Sequence, residues 1–138
     1  MAQENILIID DSYETQQTLA ELVVEPAGYQ PIAALDGEEG IRLALREQPV
    51  LIILDMRLPK LDGLEVLEKL RQQEIDTPVI FITGHESAQS AVRAFRLGVH
   101  DYFIKPFAPQ EMLETIQRAL SATRLREERD HLTQQLLE

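Results

Sequence analysis

Residues 6–11 read Ile6-Leu7-Ile8-Ile9-Asp10-Asp11, a short apolar run that ends in two carboxylates. The same form returns in Leu51-Ile52-Ile53-Leu54-Asp55, and Val79-Ile80-Phe81-Ile82 is followed by Thr83. Short apolar runs without polar alternation are typical of parallel strands that helices cover on both faces. Since the carboxyl ends of parallel strands lie along one edge of their sheet, the pattern predicts that these acids and the threonine converge there.

Similar apolar runs lie at roughly 5–9, 31–35, 50–54, 78–82 and 101–104, and helical patterns separate them. The apolar stripes of the predicted helices are Leu19, Leu22 and Val23; Ile41, Ala44 and Leu45; Leu64, Leu67 and Leu70; and Ala88, Ala91, Val92 and Phe95. Because strand–helix–strand crossovers are right-handed, this (βα)5 alternation predicts an α/β fold with a doubly wound, five-stranded parallel sheet. In the flavodoxin-like order 2-1-3-4-5, ligands bind beyond the carboxyl ends of strands 1 and 3.

The composition indicates a single acidic domain. The chain has 138 residues, of which 44% are hydrophobic, and this is enough to bury one core. Its 13 Lys and Arg against 24 Asp and Glu give a formal net charge of −11, which disfavours direct binding to nucleic acids or anionic membranes. The chain lacks cysteine, so disulfides and thiol chemistry are excluded. Without a membrane-length apolar run or a signal-like start, we expect a cytoplasmic protein.

The C-terminal region, from Pro109 to Glu138, has no glycine or proline after its first residue, which predicts one long helix. Its first apolar stripe is Leu113, Ile116 and Leu120. Beyond Ser121 the apolar phase changes, with a spacing typical of the start of a coiled coil. The residues of this second seam are Ala122, Leu125, Leu132 and Leu136. We therefore expect a domain over residues 1–120 and a helical extension over residues 121–138, which is a linker or a coiled-coil segment that could support a weak homodimer.

The predicted strand ends carry groups that suit phosphoryl transfer. Asp10, Asp11 and Asp55 would repel one another unless a cation lies among them, and oxygen ligands at an open site suit Mg²⁺. The first two could equally belong to a helix N-cap with Ser12, whereas Asp55 has no evident capping role. Lys105, directly after the fifth run, could supply a cation. A carboxylate beside a metal and a cation can accept a phosphoryl group.

Four strings of this sequence resemble the receiver domain of two-component response regulators. They are Ile8 to Ser12, Ile53 to Pro59 with Asp62-Gly63, Phe81 to Gly84, and Gly98 to Phe107, and the resemblance covers about residues 4–120. It implies that Asp55 accepts phosphate from a histidine kinase or a phosphotransfer protein and that the change is relayed to an output domain or partner protein. The Mg²⁺ ligands that it implies are Asp10, Asp11, Asp55 and the backbone carbonyl of Arg57.

The resemblance also implies roles for residues around the phosphoacceptor. Lys105 is expected to pair with the phosphoryl group, Thr83 to contact it in the active state, and Tyr102 to change rotamer as the readout. The peptide bond to Pro106 is expected to be cis, which X-Pro bonds permit. The glycines Gly63 and Gly84 are expected to be structural.

Two flanking side chains, those of Arg57 and His85, are expected to modulate the lifetime of the aspartyl phosphate by limiting how water reaches it. The strings Asp55-Met56-Arg57-Leu58-Pro59 and Thr83-Gly84-His85 are most similar to receivers of nitrogen-regulatory and nodulation-type regulators.

Two other functions use related chemistry or architecture. A Mg²⁺-dependent phosphohydrolase with an aspartyl nucleophile needs a nearby acid/base and a substrate cap, but Met56-Arg57 follows the nucleophile and no insertion is long enough for a cap. A flavin-binding module needs a loop rich in Ser, Thr and Gly after strand 1, which this sequence lacks. The sequence therefore favours a regulatory phosphoacceptor, with self-phosphotransfer and slow autodephosphorylation, over an enzyme.

Overall fold

The structure is a computed structural model that describes residues 3–84 and 88–137. Strands and helices alternate along these residues. The strands are β1 (Asn5–Ile9), β2 (Gln30–Ala34), β3 (Leu51–Asp55), β4 (Val79–Thr83) and β5 (Asp101–Ile104). The helices are α1 (Tyr13–Leu19), which continues as a π-helical turn (Ala20–Val24), α2 (Gly37–Glu47), α3 (Gly63–Gln72), α4 (Ala88–Arg96) and α5 (Pro109–Leu137).

The sheet is parallel throughout and has the order β2-β1-β3-β4-β5, so the predicted topology is confirmed. The strand bounds fall within one residue of the apolar runs in the sequence. Ile9 pairs with Ala34 on one side and with Leu54 on the other, which aligns the carboxyl ends of three neighbouring strands. This alignment places the residues that follow β1 beside the end of β3.

Both faces of the sheet are covered, and this explains why its strands lack polar alternation. In β1, Leu7 and Ile9 face one core layer, which α2, α3 and α4 cover, whereas Ile6 and Ile8 face the layer covered by α1 and α5. Every residue of β3 and of β4 is buried, including the terminal Asp55 and Thr83. The polar residues at the ends of these strands are thus buried among apolar side chains.

The predicted helix stripes were partly wrong. On α4, Val92 and Phe95 are 49% and 56% exposed, whereas Ala94 is fully buried. The small alanine side chain lets α4 pack closely on the sheet, so the larger apolar residues face solvent. On α1, the wider π-helical turn shifts the phase of the helix. Val23 and Val24 are buried there, and Leu22 is exposed.

On α2, the buried face is also displaced from the predicted stripe. Leu43 and Ala44 are buried, whereas Leu45 is exposed. The approach of this helix is set by Gly40, where an added Cβ would lie 2.5 Å from Cδ1 of Ile9. Because glycine lets the helix lie directly against β1, the face beside Gly40 becomes the buried one.

Helix α5 is continuous from Pro109 to Leu137, as predicted. Its first part packs on the sheet through Met112, Ile116 and Leu120, and its later leucines are exposed. At the start of the extension, the Arg124 guanidinium donates to the Glu4 carboxylate and to the Tyr29 hydroxyl, both at 2.8 Å. Across the described ranges, no helix combines the length and the apolar character that crossing a membrane requires.

Candidate functional site

The ends of β1 and β3 bring three carboxylates together. Asp10 follows Ile9, Asp55 follows Leu54, and those two apolar residues are paired in the sheet. One carboxylate oxygen from each of Asp10, Asp11 and Asp55 lies within 4.8 Å of the other two. Asp10 and Asp55 are 0% and 5% exposed, whereas Asp11 is exposed. The group is therefore buried on the sheet side and open on the other.

Lys105 reaches this group from the end of β5. Its Nζ lies 3.2 Å from Oδ2 of Asp10 and 3.5 Å from Oδ2 of Asp55. Its backbone N–H donates to the Thr83 carbonyl at 2.7 Å, and the Lys105–Pro106 peptide bond is cis, as expected. The ammonium group thus bridges the two buried carboxylates.

Backbone N–H groups hold the other carboxylate oxygens. The Ser12 N–H donates to Oδ1 of Asp10 at 2.8 Å, and the Arg57 N–H donates to Oδ1 of Asp55 at 3.1 Å. Ser12 itself is the N-cap of α1, since its hydroxyl accepts the Thr15 N–H. The capping interpretation of this segment therefore applies to the serine, and the Asp10 carboxylate faces the site.

Burial shapes the electrostatics of Asp55. Burial, and then the neighbouring negative charge of Asp10, raise the pKa of the Asp55 carboxyl to about 6. The Arg57 N–H and the Lys105 ammonium act in the opposite direction. Asp55 is consequently ionised for the most part at neutral pH, as a carboxylate nucleophile must be, although the fold does not favour its charge.

The donor set fits a hard divalent cation. The group of three carboxylates offers oxygen ligands, and the exposed Asp11 leaves one side open to water or a phosphoryl group. Mg²⁺ is commonly held by one or two carboxylates together with waters and phosphate oxygens. Three carboxylates beside one lysine also leave an excess of negative charge that such a cation would offset.

The other residues expected near the site lie on β4 and β5. Thr83 is buried at the end of β4. The Tyr102 ring packs edge-on against Phe81, with centroids 6.3 Å apart, and its hydroxyl contacts Sδ of Met56 at 3.9 Å. Met56 follows Asp55 directly, so Tyr102 touches the residue next to the proposed phosphoacceptor. Sequence analysis missed this contact because nothing local pairs residues 46 positions apart.

The two glycines expected to be structural differ. A Cβ at Gly63 would lie 2.5 Å from the Asp55 carbonyl oxygen and 2.7 Å from Cα of Met56. A Cβ at Gly84 would meet nothing within 4 Å, so space does not demand glycine there. The side chain of Arg57 is exposed, and His85 lies outside the described residues.

Sequence analysis also missed Gln16, a buried residue of α1. Its side-chain amide donates to the backbone carbonyls of Ile8, Asp10 and Ala34 at 2.9, 3.1 and 3.0 Å. The available signal was the position of an amide three residues before the buried Leu19, on the face that packs against the sheet.

Comparison with known proteins agrees with this geometry. The response regulator receiver domain family matches residues 6–117. The alkaline phosphatase synthesis transcriptional regulatory protein PhoP of Bacillus subtilis is 41% identical over 117 residues, covering 85% of this chain and 48% of PhoP. The regulatory protein AtoC of Escherichia coli is 34% identical over 135 residues, covering 98% of this chain and 29% of AtoC.

The crystal structure of a CheY-like receiver domain protein from Methanospirillum hungatei superposes with a TM-score of 0.85 at 28% identity, covering 91% of this chain and 99% of that one. The chain spans half or less of the length of the two curated relatives described above. From its sequence match and its fold, the chain belongs to the response regulator receiver domain family.

Proposed function

We propose that this chain is a phosphorylation-dependent signalling switch whose phosphoacceptor is Asp55. One observation carries the assignment: Asp55 is a buried strand-end carboxylate whose Oδ2 faces Lys105 inside a group of three carboxylates. A nucleophile for phosphorus needs this combination of an ionised oxygen and positive charge beside the equatorial phosphoryl oxygens.

In the proposed reaction, a carboxylate oxygen of Asp55 forms a bond to phosphorus while the bond between phosphorus and the donor's leaving atom breaks. The leaving group departs with that electron pair. Lys105 stays beside Asp55 and offsets the charge of the transferred group. When bound by Asp10, Asp11, Asp55 and the Arg57 backbone carbonyl, Mg²⁺ would supply further charge neutralisation. Water later hydrolyses the aspartyl phosphate, and the domain acts as a regulator without turnover of other substrates.

We propose that Thr83 and Tyr102 relay the change in charge. Tyr102 contacts Met56 beside Asp55, and it lies on β5, the strand that follows α4 along the chain. Apolar side chains are exposed on these two elements. They are Val92, Phe95 and Ile104. A packing change at Tyr102 would therefore alter an apolar surface that a partner can read.

The proposed donor is a histidine kinase or a phosphotransfer protein, and the proposed recipient of the signal is an output domain or a partner protein. The receiver unit is residues 1–120, and residues 121–138 form the helical extension. The family match ends near this boundary, at residue 117. Similarity to nitrogen-regulatory and nodulation-type receivers remains a proposal supported by the strings around Asp55 and Thr83.

Intact mass spectrometry after treatment with a small acyl phosphate and Mg²⁺ tests the phosphoacceptor. We expect one added phosphoryl group on the wild-type chain and none on Asp55→Asn. Asp62→Asn is the matched control, because Asp62 is an exposed carboxylate that caps α3, and asparagine caps a helix equally well. Asp62→Asn should be labelled like wild type, and labelling that persists in Asp55→Asn would overturn the assignment.

A further inference from the structure

The residue Gln16 occupies a position that a polar side chain rarely takes. It lies on the buried face of α1 and is 7% exposed. Its amide nitrogen carries two hydrogens and approaches three carbonyl oxygens within 3.1 Å. Two of those carbonyls, those of Asp10 and Ala34, lie at the edge of the sheet where β1 and β2 end. Gln16 thus continues the hydrogen bonding of the sheet past its last paired residues.

The consequence concerns the peptide that joins Asp10 to Asp11. The Asp10 N–H donates to the Ala34 carbonyl at 3.0 Å, and the Asp10 carbonyl accepts from Gln16. Both backbone groups of Asp10 are therefore fixed, and with them the plane of the peptide that leads to Asp11. That plane sets the direction in which the Asp11 side chain leaves the backbone.

The two carboxylates need this control because their surroundings differ. Asp10 is fully buried and is held through its own side chain by Ser12 and Lys105. Asp11 is exposed, yet one of its carboxylate oxygens lies within 4.8 Å of those of Asp10 and Asp55. Rotation of the connecting peptide would move the exposed carboxylate away from the group and leave Asp10 in place.

We propose that Gln16 is a positioning residue of the phosphoacceptor site, which holds the Asp10–Asp11 peptide so that both carboxylates face a shared divalent cation. This inference rests on the proposed function. Gln16 touches neither the cation nor the phosphoryl group, so its effect passes through backbone geometry. Hydrogen-bond partners that orient metal ligands typically contribute about 10- to 100-fold to metal affinity.

The test compares Mg²⁺ binding by Gln16→Met and wild type, measured by calorimetric titration of the full chain. Methionine keeps the length of the side chain and the helix but removes the N–H donors. We expect the dissociation constant for Mg²⁺ to rise by about 10-fold or more. At saturating Mg²⁺ the variant should still be phosphorylated by a small acyl phosphate, because a higher Mg²⁺ concentration compensates for the weaker binding of the cation.

Two control variants separate positioning from general effects. Gln17→Met makes the same chemical change at the next residue, whose exposed side chain donates to the Glu21 carboxylate at 3.2 Å, and it should bind Mg²⁺ like wild type. Ile116→Val removes a buried methylene from the core under α5 and leaves the side chains of the acidic group unchanged, so it should lower the melting temperature without changing Mg²⁺ affinity. Gln16→Asn keeps the amide on a side chain that is one methylene too short to reach the three carbonyls. It should also weaken Mg²⁺ binding, and it replaces Gln16→Met in the test if that variant does not fold.

Wild-type Mg²⁺ affinity in the Gln16 variants would overturn the inference, as would an equal loss of affinity in Ile116→Val. Either result would leave the phosphoacceptor assignment intact, provided that wild type is phosphorylated and Asp55→Asn is not. A wild-type chain that neither binds Mg²⁺ nor accepts a phosphoryl group would instead overturn the proposed function itself.

Discussion

At the scale of single residues, the charge on Asp55 opposes folding. Its pKa is raised to about 6 in the folded chain, while in the unfolded chain it should lie near the ordinary 3.8. The folded state therefore takes up this proton first as the pH falls. The electrostatic cost is complete above about pH 6 and is relieved as the pH falls from about 6 towards 4.

Asp55→Asn should therefore stabilise the Mg²⁺-free chain at neutral pH, because the amide cannot ionise. The pKa difference corresponds to about 3 kcal/mol at most, and the advantage should shrink as the pH falls from about 6 and vanish below about pH 4. Urea unfolding of both proteins across this range, without Mg²⁺, measures the effect. Parallel stability curves for the two proteins would show that burial does not penalise the carboxylate.

The contrast between Gly63 and Gly84 gives a second prediction for single residues. Gly63→Ala should lower the free energy of unfolding by about 1–3 kcal/mol, because its methyl group would overlap the backbone of Asp55 and Met56. Gly84→Ala should change it by less than about 0.5 kcal/mol, since that position is open. Chemical denaturation of both variants tests this, and equal costs would contradict the packing described around Asp55.

At the scale of elements, α4 rests on the sheet through a small residue. Phe95→Ala should cost less than about 1 kcal/mol, because more than half of that side chain is exposed. Leu67→Ala on α3 should cost about 2–5 kcal/mol, because Leu67 is fully buried. If Phe95→Ala lowered the free energy of unfolding as much as Leu67→Ala does, Phe95 would belong to the buried face of α4, as the sequence predicted.

The local sequence predicts the placement of the strands better than that of the helices. Strands buried on both faces are uniformly apolar, so β3 and β4 could be located within one residue, and the site followed from their ends. The buried faces of α1 and α4 could not be predicted, since a π-helical turn determines which side of α1 is buried and one close-packed alanine determines it in α4. Gln16 and Arg71 also escaped prediction. Arg71 donates to the carbonyls of Leu97 and Ile75, and Gln16 reaches Ala34 from 18 residues away.

At the scale of the whole molecule, the extension of α5 carries an apolar seam away from the domain. Leu125, Leu132 and Leu136 are exposed along it, with Arg129 at the intervening position. About two heptads form a marginal coiled coil, so we expect weak self-association of the full chain and none of a chain ending at Ser121. Sedimentation velocity with and without acyl phosphate measures both.

Arg129→Leu is the informative companion variant, because it completes the seam and should tighten the dimer. If the full chain, the shortened chain and Arg129→Leu all sediment as monomers in both states, the extension does not associate and acts as a linker.

The anchoring of α5 at Arg124 gives the extension a mechanical property. From Arg124 to Leu137 the helix runs about 20 Å, at about 1.5 Å per residue, and no proline or glycine interrupts it. At Arg124 the helix is bonded to Glu4 and Tyr29, at the opposite edge of the sheet from the acidic group. A tilt of the helix by about 5° at this anchor would displace its C-terminal end by about 2 Å over this length. A rearrangement too small to disturb the core would thus produce a larger displacement at the end of the extension.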